Sequence, residues 1–250
     1  MNAFLVSSIA FAAMFGGALA GMYLRQALPD QHLQDDSRDV VKLAGGLVGT
    51  LAALVLGLLV ASGKGFYDAQ SSELTQLSAD IVVLDRSLAH YGPEAADPRN
   101  TLRQIVMVVL ERSEATHRSV TASLSTLSGA DVLYDKIDAL NPKTETQRGV
   151  REQCLAMAVS LGRTRWLMYE QGSASVSKPL LVVMIFWLMV TFCIWGVLAA
   201  PNRTLIITMG VSALSSAGAI YLILEMYSPY QGLIQVPDAP LRAALAHLGL

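Results

Sequence analysis

Four stretches of this chain contain no Asp, Glu, Lys, Arg or His, and each is long enough to cross a bilayer. They are Phe4 to Leu24, Leu43 to Ser62, Leu180 to Ala199 and Thr204 to Leu224. A hydrocarbon core of roughly 30 Å needs about 20 residues of helix at about 1.5 Å per residue. A backbone in lipid has to satisfy its own hydrogen bonds, so such stretches are helices. The first has no basic segment ahead of it and is followed by Arg25, which argues for a span and against a cleaved signal. Ala200-Pro201-Asn202-Arg203 is short enough to make the last two spans an antiparallel hairpin.

The second span carries small residues at four-residue spacing: Gly45, Gly49, Ala53, Gly57 and Ala61. Small residues let helix backbones approach closely where lipid removes the hydrophobic drive between them. The stripe therefore suits association with another copy of the chain, and it suits close packing inside one subunit as well. Ala13, Gly17 and Gly21 repeat the spacing in the first span, and Ser212, Ser216, Ala213 and Ala217 do so more loosely in the fourth. Leu47, Leu51, Leu54 and Leu58 form a second face on span two, with Thr50 as its only deep hydroxyl. That face reads either as pore lining or as plain lipid exposure.

Between the two pairs of spans the pattern changes to charged, amphipathic helix. Leu74, Leu77, Ile81, Leu84, Leu88 and Tyr91 alternate by three and four residues, a narrow seam that Gly92-Pro93 closes. Asp97-Pro98 then reads as the cap and first turn of the next helix. Its apolar side is Leu102, Val106, Val109, Val120, Leu124 and Leu127. A short helix near Asp131 to Leu140 follows, and Thr144 with Gln147 has capping-box spacing. Val150, Cys154, Met157, Leu161 and Met168 make another seam. After span four, Asp238-Ala239-Pro240 reads as the N-cap and first turn of a short helix with Leu241, Leu245 and Leu248 on one face, which suits the membrane interface or, as Arg242 is its only basic residue, rather a place on the middle bundle. The expected fold is all-α: a multi-pass membrane protein with four transmembrane helices (2 + 2) around a soluble helical bundle. The expected division is residues 1–62 for two spans, 63–178 for the bundle, 179–226 for two more spans, and 227–250 for a C-terminal segment with a short amphipathic helix.

The charge is small: Lys and Arg total 18 against 20 Asp and Glu, a net of −2, and no basic surface points to nucleic acid. The two cysteines, Cys154 and Cys193, have no metal or redox spacing. His32 with Asp35 and Asp36 has one-turn spacing, a weak candidate for metal that reads better as a solvated loop capping a helix. The histidines are scattered, no nucleophile or nucleotide motif occurs, and nothing calls for a cofactor, so an enzyme is not expected. Spans without ionisable groups lack the usual mark of proton relays and coupled transport, and that leaves a passive pore open.

Several blocks then resemble one family. LPDQHLQDDSRDVVKLAGGLVGTLAALVLGLLVAS, LAHYGPEA, GRTRW, APNRT, SALSSAGAIYLILEM and GLIQVPDAPLRAALAHLG are similar to the bacterial bestrophin-like membrane domain family, long catalogued as a domain of unknown function. The matching blocks run from about Leu28 to the C-terminus. Through bestrophins the resemblance implies an oligomeric ion channel, conducting anions, with span two lining the pore. It implies an inner-membrane protein with its soluble region and both termini in the cytoplasm. The implied partners are the lipid bilayer, further copies of the chain in a homo-oligomer, and inorganic ions. Span two has no aromatic residue where many bestrophins have an aromatic constriction. The competing reading is a membrane-anchored scaffold or sensor whose helical region binds a partner.

Overall fold

The computed structural model describes residues 2–27, 35–116, 129–172, 176–227 and 233–248. The described residues are helical and contain no strand. In chain order the helices are α1 (Ala3–Ala27), α2 (Asp35–Tyr91), α3 (Ala96–Thr116), α4 (Gly129–Asp138), α5 (Glu145–Gly172), α6 (Lys178–Leu198), α7 (Arg203–Met226) and α8 (Ala239–His247). Four of them, α1, α2, α6 and α7, are long and apolar enough to cross a membrane.

The helix containing the second apolar stretch is much longer than that stretch. It begins before Leu43 because nothing between Ser37 and Lys42 breaks a helix, and it runs unbroken through Gly63 and Gly65 to Tyr91. The chain divides into two compact units, one of residues Met1–Gly65 with Ser175–Tyr227, the other of Phe66–Ala174 with Ser228–Leu250. The C-terminal segment thus groups with the middle region.

In the first unit the contacts fix the helix directions. Gly17 meets Met189, Gly21 meets Cys193 and Val197, and Gly196 meets Ala18 and Met22, so α1 and α6 run parallel. Gly45 meets Ile194 and Gly49 meets Thr191, so α2 runs antiparallel to α6. Gly210 of α7 lies against Phe15, while Gly63 lies against Tyr227 and Met226. The four helices therefore alternate in direction, with Arg25, Arg38 and Leu198 at one end and Gly63 and Tyr227 at the other. The tightest approach is between α1 and α6. A Cβ added at Gly21 would overlap the Cys193 carbonyl, and one at Gly196 would overlap the Ala18 carbonyl. Backbone rather than side chain stands in the way, so only glycine fits there without a shift of the helices. Ala10, Met14, Met184, Ala213 and Ile220 complete a buried cluster around this contact.

The second unit is a helical bundle with its own core. Leu74, Leu77, Ile81, Leu84, Leu88 and Tyr91 of α2 are all at most 5% exposed, as the seam requires. They pack with Leu102, Val106 and Val109 of α3, Leu133 and Ile137 of α4, and Cys154 and Met168 of α5. Val236, Leu241 and Leu248 of the C-terminal segment close the same core. Gly92, at φ 126° and ψ −176°, takes an extended positive-φ conformation open essentially only to glycine just after α2, and a 3-10 turn over Pro93–Ala95 leads straight into α3. Asp97 consequently lies inside α3 and does not cap it. Its carboxylate instead accepts a bond from Lys136 Nζ at 2.9 Å. Val120, Leu124 and Leu127 lie outside the described residues.

Local chemistry explains two helix starts. Thr144 Oγ1 accepts from the Gln147 amide at 3.1 Å, and the Gln147 side chain reaches back to accept from the Lys143 amide at 2.8 Å. This is a capping box with its return bond displaced by one residue. Asn202 caps α7 by accepting from the Leu205 amide at 2.6 Å. Asp238 precedes α8 but gives no side-chain cap; its carboxylate takes Arg242 Nε at 2.7 Å.

Candidate functional site

The candidate site is the apolar part of α2, and its two faces differ in what they touch. Gly45, Ala52, Leu59 and Gly63 are buried within the first unit, with Val48, Val55 and Leu56 half-buried beside them. The opposite face is open. Leu43, Leu47, Leu51, Leu54 and Leu58 are 76%, 64%, 40%, 65% and 62% exposed. At about 100° per residue, Leu47, Leu51, Leu54 and Leu58 stay within a sector of about 60°, so they form one straight seam. Thr50 borders it. Its hydroxyl donates to the Gly46 carbonyl at 2.8 Å, which satisfies the proton inside the helix and leaves the oxygen facing outward.

The small-residue set behaves differently from a straight stripe. A four-residue step advances the helix by about 400°, so it drifts by about 40° at each step and by about 160° from Gly45 to Ala61. The structure shows the consequence. Gly45 is buried against Ile194, whose Cγ2 would lie 2.8 Å from an added Cβ, and Gly49 faces Thr191 Cγ2 at 3.5 Å. Ala53 and Ala61 are exposed, and Gly57 has nothing within 4 Å of an added Cβ. The set winds from the intrachain contact onto the open side. One end serves the subunit's own packing, while the other borders the leucine seam.

Metal chemistry has no support among the described residues, where no three His, Cys, Asp or Glu side chains converge. His32 lies outside the described residues, and of Asp35 and Asp36 only the helical backbone is described. In the second unit, one apolar cavity of about 60 Å³ lies among Leu77, Ile81, Val106, Leu133 and Leu241. Small-molecule pockets hold about 300–1,000 Å³, so this space is a packing defect rather than a substrate site.

Two electrostatic features escaped the sequence reading. Asp85 is buried at 1% exposure in the bundle core, and Arg99 grips it with Nε–Oδ1 at 2.8 Å and Nη2–Oδ2 at 2.9 Å. Asp85 holds the Arg99 guanidinium above its ordinary pKa. At the far end of the first unit, Arg25 Nη1 donates to the Leu198 carbonyl at 2.9 Å and to Val197 at 3.3 Å, while Arg38 Nη2 donates to the same Leu198 oxygen at 2.9 Å. Both arginines thus cap the negative end of α6.

The family model of the bestrophin-like domain matches residues 12–241. The chain belongs to the bestrophin-like domain family. That match takes in α2 to α7 whole and α1 from residue 12 onward, so the resemblance in the sequence blocks of this bestrophin-like chain is a property of nearly the whole molecule. No curated protein and no solved structure matches it.

Proposed function

We propose that this bestrophin-like chain assembles into a homo-oligomer that forms a passive ion channel, with α2 lining the pore. In this reading α1, α2, α6 and α7 cross the inner membrane as a 2 + 2 set, and the helical bundle lies in the cytoplasm. The observation that carries the reading is the open leucine seam of α2, straight along the helix and opposite the side that packs within the subunit. Repeated around a symmetry axis, Leu51, Leu54 and Leu58 make stacked apolar rings, and Thr50 makes a single polar one. Such a constriction gates by excluding water. The open small residues Ala53, Gly57 and Ala61 flank the seam, where a neighbouring α2 would need close approach. Absence of ionisable groups from the spans favours passive conduction over coupled transport.

Anion conduction follows from the family alone. Purified chain in nanodiscs, sized by mass and then fused into planar bilayers under asymmetric chloride, tests it. The expected result is an oligomer whose reversal potential follows chloride. A monomeric mass in both mild detergent and nanodiscs would remove the assembly on which the pore depends.

One observation favours the scaffold reading as the alternative. Val82, Val83, Arg86, His90, Val150 and Gln153 line an open groove on the bundle, and Val83 is 49% exposed. A groove with an apolar floor and a basic rim is the kind of surface that takes a peptide helix.

A further inference from the structure

Two open surfaces of the helical bundle complement each other in charge, polarity and length. We infer that the groove between α2 and α5 of one subunit takes α4 of a second copy of the chain, in a contact that repeats around the oligomer. The inference rests on the homo-oligomer of the proposed function and is independent of conduction.

Val82, Val83, Arg86 and His90 line the groove from α2, and Val150 and Gln153 line it from α5. It encloses about 380 Å³, against about 60 Å³ for the packing defect in the core, so it has room for the side chains of a partner. The valines form its floor, and Val83 is 49% exposed. Its rim is basic, because Arg86 and His90 are both exposed. His90 Nδ1 donates to the Arg86 carbonyl at 2.8 Å, which leaves Nε2 for a partner.

The matching ridge is α4. At about 100° per residue, Asp131 and Asp135 fall within about 40° of the direction opposite its buried Leu133 and Ile137. Both aspartates are exposed. Val132 and Tyr134 flank them at 49% and 39% exposure. The ten residues of α4 run about 15 Å, and the groove from Val82 to His90 runs about 12 Å along α2. An acidic ridge with apolar shoulders thus fits a basic groove with an apolar floor.

The occupant has to come from another copy. Leu133 and Ile137 hold α4 in the core of its own bundle, Lys136 ties it to Asp97 on α3, and Arg151 of α5 pairs with its Asp138. Arg151 and Gln153 lie two residues apart on α5, so their side chains leave the helix about 200° apart. One flank of α5 therefore carries α4, and the other borders the groove. A subunit with a ridge on one flank and its complement on the other associates head to tail, and such heterologous contacts generate rings when the rotation closes.

The experiment measures the mass of the full-length chain in nanodiscs, and the concentration at which its oligomer dissociates on dilution in mild detergent. Asp131→Lys/Asp135→Lys and Arg86→Glu/His90→Glu each set like charges across the contact, and each should raise that concentration at least about tenfold. The four substitutions together restore opposite signs and should recover most of the loss. All four side chains are exposed, so helicity should stay at the wild-type level throughout. An unchanged dissociation concentration in both reversals, or no recovery in the combination, would overturn the assignment. Val83→Cys/Val132→Cys in a Cys193→Ser background tests the contact without using charge. Mild oxidation should link it into a ladder of covalently joined subunits, while either single cysteine variant stays unlinked. Absence of the ladder, or a link formed only within one subunit, would overturn the assignment even if the charge variants fail to fold. A wild-type oligomer indifferent to all of these changes contradicts this inference alone, and a monomeric wild type contradicts the homo-oligomer too.

Discussion

Arg99→Met should destabilise the bundle more than any substitution of a surface charge, although Arg99 itself is a quarter exposed. The reason lies in its partner. The Asp85 side chain is 2% exposed, and the residue follows Leu84 in the seam, one turn from Ile81 and from Leu88, all three of them in the core. The bidentate grip at 2.8 and 2.9 Å supplies the cation that offsets a large part of the desolvation of that carboxylate. Breaking a buried pair by removing one partner costs about 3–5 kcal/mol, because an uncompensated charge is left behind. For a unit of this size each kcal/mol moves the melting point by about 3–5 °C, so a loss of roughly 10–20 °C is expected. Replacing both partners removes the stranded charge, so Asp85→Leu/Arg99→Met should be more stable than Arg99→Met alone by at least about 2 kcal/mol. Hydrogen exchange in the intact protein, followed on peptides spanning residues 74–91 and 96–110, reports the unit directly. A cost below about 1 kcal/mol for Arg99→Met, or simple additivity in the double variant, would refute the argument that Asp85 is held in the core by Arg99.

Three further outcomes follow from the packing. Gly21→Ala and Gly196→Ala each drive a methyl into a facing backbone carbonyl, so each should cost about 1–3 kcal/mol or more and lower the melting point of the detergent-solubilised protein; wild-type melting would mean α1 and α6 are not in backbone contact. Gly57→Leu points into open space within the subunit and should leave subunit helicity unchanged while altering oligomer mass, whereas Gly45→Leu meets Ile194 and should impair the fold itself; identical behaviour of the two variants would contradict the winding of the small-residue set. Burial pushes the Cys154 thiol up to about 11 from its ordinary 9.0, so the folded chain holds that proton more tightly than the unfolded chain does. The stabilisation is present in full below about pH 9 and is lost as pH rises towards about 11. Cys154 should accordingly resist a thiol reagent at pH 8 until the bundle unfolds, and rapid labelling of native protein, in a Cys193→Ser background, would contradict its burial.

The long elements were legible because their signals are local. Uncharged runs gave the four apolar helices, and three-and-four spacing gave the seam from Leu74 to Tyr91, whose members are all buried. The capping chemistry at Thr144 and Gln147 was also readable, since its partners lie three residues apart. What escaped depends on distant partners. Gly17 and Gly21 have the same spacing as Gly45 and Gly49, yet only the first pair has facing backbone against it, supplied by Met189, Cys193 and Val197 far along the chain. Gly57 looks like Gly45 in the sequence and has the opposite environment, because a four-residue step drifts around a helix of 3.6 residues per turn. Asp85 carried a signal that went unread: an acid placed beside the core positions Leu84 and Leu88 needs a cation, and Arg99 is the one the fold delivers. The continuity of α2 from the Gly45 stripe into the seam ending at Tyr91 was legible as well, since the change from apolar to charged residues after Ser62 brings no proline to break the helix.

The central claim, that the leucine seam of α2 lines a conducting pore, is tested most directly by Leu54→Ser. Leu54 is 65% exposed and lies mid-seam, so the substitution adds a hydroxyl where the account places an apolar constriction and disturbs no contact that holds the subunit together. Chloride flux is measured in liposomes holding wild type or Leu54→Ser at matched oligomer mass. The account predicts measurable flux from wild type and a clear increase from Leu54→Ser, because a polar ring lowers the barrier to wetting. No flux from either protein, in oligomers verified after reconstitution, would contradict it.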